Sequence, residues 1–143
     1  MEFVRNDQYN HSAQACIAML CGTSLLKVLS EVGPGQLEFI ATIHLLEKRG
    51  IRIERYLQPS METDYERHRI QLDGIARLPI METHLVRLIP EDRSQGHLLL
   101  VSESQILDPS SDHPYSTCEI TQWAQQVPTE LLYDIYAFQV VRN

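Results

Sequence analysis

The stretch that decides the fold is Ser-Ala-Gln-Ala-Cys-Ile-Ala-Met-Leu-Cys-Gly, residues 12–22. Four of its residues share the i, i+3, i+4, i+7 spacing that is typical of one face of a helix: Ser12, Ala15, Cys16 and Met19. Glycine commonly follows the last turn of a helix, so Gly22 predicts the C-terminus. We therefore expect a helix that begins near Asn10 and buries one apolar stripe.

Two further helices are predicted after the first one. Ser24 is a good N-cap, and the apolar residues after it predict a short helix that ends near Gly33-Pro34-Gly35. A third helix is expected from Gln36 to Lys48, closed by Gly50. Its expected buried residues are Phe39, Ile40, Ile43 and Leu46.

Beyond Gly50 the pattern changes from helical to extended. The predicted strands are Ile51–Tyr56, Leu85–Ile89, His97–Val101, Gln105–Leu107 and Tyr133–Val141, with a short helix at Ile120–Val127. The polar stretch from Pro59 to Gly74 carries no assignable pattern. Helices followed by mostly antiparallel strands predict an α+β fold, and 143 residues fit one domain, residues 1–143.

The composition argues against several classes of function. A net charge of −7 disfavours nucleic acid and membrane as partners, because both need a basic surface. No signal-like or membrane-spanning run is evident, so we expect a cytoplasmic protein or one delivered by a route that leaves no such signal. Three cysteines without a Cys-x-x-Cys pair, scattered histidines and no glycine-rich phosphate loop predict no disulfide, no metal and no cofactor.

Three polar residues together indicate a possible active site. Ser12 lies at a helix start, where backbone amides and the helix dipole favour an anion. His97 opens an apolar strand and could take a proton from Ser12, and a hairpin return could bring Asp108 beside His97 to orient it. Each residue alone has an ordinary interpretation as a helix cap, a structural histidine and an Asp-Pro turn. Only the combination predicts a nucleophile, a base and an orienting acid.

The order and spacing of these residues resemble a known family. Residues 4–22 are similar to the helix-opening motif of the bacteriocin-processing, double-glycine-leader peptidases and their small stand-alone relatives, within the papain-like cysteine peptidases. The matching positions are Ala15–Leu20, Gly22, Gly96-His97 and Leu107-Asp108-Pro109. The resemblance implies a papain-like α+β fold, with N-terminal helices packed on a C-terminal antiparallel sheet and an active-site cleft between them. It also implies attack on a peptide or protein amide or acyl bond.

The sequence departs from the family pattern at two positions. The nucleophilic cysteine of the family aligns with Ser12, and its oxyanion-hole glutamine aligns with Asn6, with Gln8 as the alternative donor. Cys16 is a weaker candidate for the nucleophile, because one helical turn places it ~6 Å deeper along the axis.

A serine at position 12 leaves three interpretations of this chain open. It is an engineered inactive variant, a natural pseudoenzyme that kept its binding groove, or a hydrolase that uses serine. The predicted function is therefore a hydrolase related to the cysteine peptidases. The alternatives are a catalytically dead module that binds a peptide or protein, and a deamidase or acyltransferase on the same scaffold.

Overall fold

The structure, a computed structural model, describes residues 1–6, 11–57, 72–92 and 96–142, with the backbone only at 55–57. Gln8 and most of the unassigned polar stretch from Pro59 to Gly74 lie outside these ranges. Residues 72–76, at the end of that stretch, are helical.

Three helices form the N-terminal part of the fold. They are α1 (Ser12–Cys21), α2 (Leu25–Val32) and α3 (Phe39–Glu47). Gly22 ends α1 with a φ of 64°, a left-handed conformation that glycine adopts without steric cost. The Ser24 hydroxyl accepts a hydrogen bond from the Lys27 amide at 3.1 Å, which satisfies one of the unpaired amides at the start of α2. Both predicted helix boundaries are therefore confirmed.

The rest of the described chain contributes a six-stranded sheet and, besides the helical residues 72–76 and short 3-10 turns, a helix near the C-terminus. The strands are β1 (Ile51–Leu57), β2 (Thr83–Ile89), β3 (His97–Ser102), β4 (Gln105–Leu107), β5 (Tyr115–Ser116) and β6 (Asp134–Arg142), and α4 is Ile120–Gln126. Their order in the sheet is β1-β6-β2-β3-β4-β5, and every neighbouring pair is antiparallel. The predicted α+β class is confirmed. The two-residue strand β5 was not predicted, since it is too short to show alternation.

The β2–β3–β4 region depends on two tight backbone features. Glu103 and Ser104 form the turn between β3 and β4 with φ of 52° and 62°, as a two-residue hairpin turn with two positive φ angles requires. A Cβ added at Gly96 would lie 3.0 Å from the Leu88 carbonyl oxygen. Glycine at position 96 therefore lets the chain enter β3 close to β2, immediately before His97.

Apolar residues cover both faces of the sheet, and the predicted packing of the N-terminal helices accounts for one of them. Leu98 and Leu100 of β3 point into a cluster shared with α1 and α2. Leu99 and Val101, which alternate with them, point into a second cluster that contains Trp123 of α4. Successive side chains of a strand face opposite sides, so each face needs its own cover. The sheet is the middle layer of three.

Two expectations about helix burial are wrong. Ile40 was expected in the core, but it is 63% exposed, and Thr42 is buried in its place. Thr42 tolerates burial because its hydroxyl donates to the Glu38 carbonyl at 3.0 Å. In α1 every residue from Ser12 to Leu20 is buried, not just one stripe, because the helix is enclosed by α2, α3 and β3.

Candidate active site

His97 and Asp108 form a buried pair at the end of the sheet. His97 is the first residue of β3 and Asp108 is the residue after β4, so the hairpin returns Asp108 to the end of β3 where His97 lies. Nε2 of His97 lies 2.6 Å from Oδ1 of Asp108, and neither residue is more than 1% exposed. With Asp108 ionised, Nε2 donates this hydrogen bond. Nδ1 is then the ring nitrogen that can accept a proton.

The turn after β4 holds the Asp108 carboxylate. The Ser111 amide donates to the Asp108 carbonyl at 2.9 Å, and the Ser110 amide donates to Asp108 Oδ1 at 3.0 Å. Aspartate followed by proline is the usual start of such a turn. The Asp-Pro turn of the ordinary interpretation is therefore present, and it holds the carboxylate beside His97.

The charge of Asp108 is stabilised although the residue is buried. Burial by itself would raise the pKa of the Asp108 carboxyl, but the charge of His97 and three donated hydrogen bonds outweigh it and hold that pKa below its ordinary value. A lowered pKa means that Asp108 adds stability above its ordinary pKa. This stability is lost as the pH falls through the lowered value.

Ser12, the first residue of α1, contacts β3 at the same end of the sheet. Its hydroxyl oxygen accepts a hydrogen bond from the Leu98 amide at 3.0 Å, at the residue next to His97. β4 pairs only with residues 100–102, so the start of β3 has no β4 partner and the first residue of α1 takes that place. Ser12 is 4% exposed. The structure thus brings the N-terminus of α1, His97 and Asp108 together.

A turn from the loop after α2 packs against the first turn of α1. The Gln14 side chain is fully buried and donates through Nε2 to the Gly35 carbonyl at 2.6 Å. Nε2 of His11 lies 2.6 Å from the Pro34 carbonyl, and this N-cap side chain makes no capping bond to α1. Residues on both sides of Ser12 therefore hold the turn at 33–35 beside the helix start.

The two predicted oxyanion donors have different outcomes. Asn6 is 9% exposed, and its backbone amide donates to the Pro109 carbonyl at 2.5 Å. Arg5 pairs with Asp112 at 2.9 Å on the same turn, so the lead-in is attached next to Asp108. Gln8 lies outside the described residues. The role of either side chain stays a prediction.

Cys16 is enclosed, as expected from its place in α1. It is fully buried in the same apolar cluster as Met19. Burial and the negative charge of Asp108 raise the pKa of the Cys16 thiol well above its ordinary value. The thiol is therefore neutral near pH 7, which argues against Cys16 as the nucleophile.

We expect Cys16→Ala to lower the free energy of unfolding by about 1 kcal/mol, because one buried sulfur is lost from a close-packed helix. Urea unfolding would measure the change, with Cys21→Ala, at the half-buried end of the same helix, as the control. Alkylation of the folded native protein should modify Cys16 last of the three thiols. Faster modification of Cys16 than of Cys118 would contradict its assignment as an inert core residue.

Two buried residues at or beside the site were not predicted as part of it. Trp123 was expected in the core or in a groove wall, and its indole Nε1 in fact donates to Asp108 Oδ2 at 2.9 Å. A buried indole needs an acceptor for its N–H, which was the one available signal. Gln14 was not singled out, since a polar residue in a helix pattern ordinarily faces solvent.

Groups of three or more His, Cys, Asp or Glu that could hold a metal ion do not occur among the described residues. Within the same ranges, no single helix is long and apolar enough to cross a membrane. The pair α1 and α2 passes that test only when taken together, by length and composition, and is bent by 116°.

The described helices and the antiparallel sheet form an α+β fold of the papain-like type. Among solved structures the chain is similar to the Pseudomonas avirulence protein AvrPphB, with a TM-score of 0.60 and 14% identity over 98% of this chain and 97% of that chain. At this identity the similarity concerns the fold. No protein-family profile and no curated protein sequence matches the chain.

Proposed function

We propose that this chain is a hydrolase of the papain-like type. Ser12 would occupy the nucleophile position, His97 would be the base, and Asp108 would be the acid that orients His97. Its substrate would be an amide or acyl bond of a peptide or protein. The observation that carries the proposal is the pairing of His97 with Asp108 at 2.6 Å beside a helix-start hydroxyl bonded to the next residue of the same strand.

The reaction assigned to this site is acyl transfer in two steps. The Ser12 oxygen attacks the substrate carbonyl carbon, its proton passes to His97 Nδ1, and the leaving amine takes that proton as the carbon–nitrogen bond breaks. Water then attacks the ester with His97 as base again, which releases the acid and restores Ser12. Amides of the first turn of α1 are suited to hold the developing oxyanion.

Serine makes this reaction slow on a site of cysteine-peptidase type. A thiol loses its proton readily to a neighbouring imidazole, and the resulting ion pair is the reactive form of these sites. A serine hydroxyl is far less acidic, so His97 must remove its proton during the attack. We therefore propose low hydrolytic activity for the protein with Ser12.

A second candidate is a catalytically dead module that binds a peptide or protein in the same region. One observation favours it: the Ser12 oxygen already accepts a hydrogen bond from the Leu98 amide, and the residue is 4% exposed. In that arrangement the hydroxyl links α1 to β3 and has a structural role.

Ser12→Cys tests the proposed function. We expect the introduced thiol to be alkylated by iodoacetamide at pH 6 at least ~10-fold faster than Cys118, because pairing with His97 keeps it ionised where an ordinary thiol is protonated. Mass spectrometry of the digested protein would report the rate at each cysteine, with the protein bearing Ser12 as the control. Equal labelling of all thiols, or preferential labelling of Cys16, would contradict the assignment.

A fluorophosphonate probe on the protein bearing Ser12 separates the two candidates. Modification of Ser12, absent in Ser12→Ala, supports a serine that attacks. Absence of modification, combined with a reactive thiol in Ser12→Cys, supports the binding module.

A further inference from the structure

The Asp108 carboxylate is held from the second face of the sheet, away from α1. Its Oδ2 accepts a hydrogen bond from the Trp123 indole at 2.9 Å, while Oδ1 accepts from His97 and from the Ser110 amide. Trp123 is fully buried in the cluster that covers this face. The acid is therefore fixed by donors from β3, the turn after β4 and α4.

The hydrogen bond to Oδ2 restricts a rotation of the carboxylate that the bonds to Oδ1 still allow. The terminal torsion of an aspartate is soft, so a carboxylate held at one oxygen still rotates about its axis. A donor at the second oxygen fixes the plane of the group, and the packing of α4 fixes that donor. The orientation of Asp108 towards His97 thus depends on how the Trp123 indole ring packs in the apolar cluster.

We propose that Trp123 is a positioning residue of the candidate active site, which orients Asp108 so that one carboxylate oxygen stays directed at His97. This inference rests on the proposed function, because the orientation of His97 matters only if His97 moves a proton. Trp123 does not touch the reacting atoms; it acts through Asp108.

Among the residues that the structure describes, two titratable groups interact with Asp108 from the elements packed against it. His97 of β3 is its hydrogen-bonding partner, and Cys16 of α1 is a neutral thiol whose pKa is raised by burial and by Asp108. Trp123 of α4 does not titrate. A pH dependence of the indole near the acid range would therefore report the protonation of Asp108.

The native protein permits a test without any mutation. Trp123 is the only tryptophan, so its indole N–H gives one assignable signal in a ¹H–¹⁵N spectrum. We expect this signal to shift with pH at the same midpoint as the carboxyl carbon of Asp108. An indole signal that does not respond when Asp108 takes up its proton would overturn the proposal.

Trp123→Phe keeps the aromatic ring and removes the donor. We expect the pKa of Asp108, followed by carbon NMR, to rise by about one unit, since one charge-assisted hydrogen bond is lost. In the Ser12→Cys background, the acid limb of the alkylation rate against pH should move upward by a similar amount. Val127→Ala removes apolar packing from the same cluster and should leave both midpoints in place.

Unchanged midpoints in Trp123→Phe, or equal shifts in Val127→Ala, would reduce Trp123 to a core residue and overturn the proposal. The NMR measurements use the protein bearing Ser12, so they are independent of thiol reactivity. A Ser12→Cys protein without enhanced alkylation would count against the proposed function, while the indole titration would still decide whether Trp123 holds Asp108.

Discussion

In the Ser12→Cys protein, His97→Gln is expected to lower the rate of thiol alkylation at pH 6 by about 10²-fold. An ordinary thiol with a pKa near 8.5 is ~0.3% ionised at this pH, whereas a thiol paired with an imidazolium is almost fully ionised. The rate should also change its pH dependence. It should be nearly flat between about pH 5 and 8 with His97 and rise about tenfold per pH unit without it.

His84→Gln is the matched control for this prediction. His84 is also a fully buried histidine of the sheet, on β2, and its Nε2 lies 3.3 Å from Glu82. Loss of a buried imidazole there should affect stability and leave the alkylation profile unchanged. A similar loss of reactivity in both variants would mean that the effect is structural, and His97 would lose its assignment as the base.

The second large effect concerns the oxyanion donor. In the Ser12→Cys background, removal of the true side-chain donor should lower hydrolysis of an activated ester by ~10²-fold or more, because the developing charge loses one preorganised hydrogen bond. Asn6→Ala and Gln8→Ala would be measured side by side. The family resemblance favours Asn6, whose backbone amide is bonded next to Asp108.

Asn6→Ala distinguishes the role of the Asn6 side chain from that of its backbone amide. The hydrogen bond from residue 6 to the Pro109 carbonyl is made by the main chain, so alanine retains it and the lead-in stays attached. A fall in rate with an unchanged urea midpoint would then report the side-chain amide. If only Gln8→Ala lowers the rate, the alignment of Asn6 with the family glutamine is wrong. If neither change matters, backbone amides alone form the pocket.

Local sequence determined two helix ends and the β3–β4 hairpin, because each depends on contacts within a few residues. Ser24 and Gly22 bound their helices as predicted, because capping is satisfied by neighbouring backbone groups. The hairpin of β3 and β4 was predicted from two short extended runs, and its tight turn returns Asp108 to His97. The α+β class followed from the order of these elements.

The candidate site was partly determined in the same way. The pairing of His97 with Asp108 is a consequence of one hairpin. Both strands of that hairpin lie in one short stretch of sequence, so the pairing could be predicted from local pattern. The approach of Ser12 to Leu98 joins residues 86 positions apart, and it was expected only from the combination of Ser12, His97 and Asp108 and from the family resemblance. Periodicity carries no information about which edge of a sheet a helix start will reach.

Only the tertiary structure decided which side chains are buried and what the buried polar groups contact. Ile40 is exposed and Thr42 is buried. The side of α3 that packs against α1 and β1 is set by those elements, and the apolar pattern of α3 did not predict it. Gln14 and Trp123 are buried because distant groups, the Gly35 carbonyl and the Asp108 carboxylate, accept their N–H groups. A buried polar side chain is stable only with a partner, and that partner is fixed by the packing of layers and not by nearby sequence.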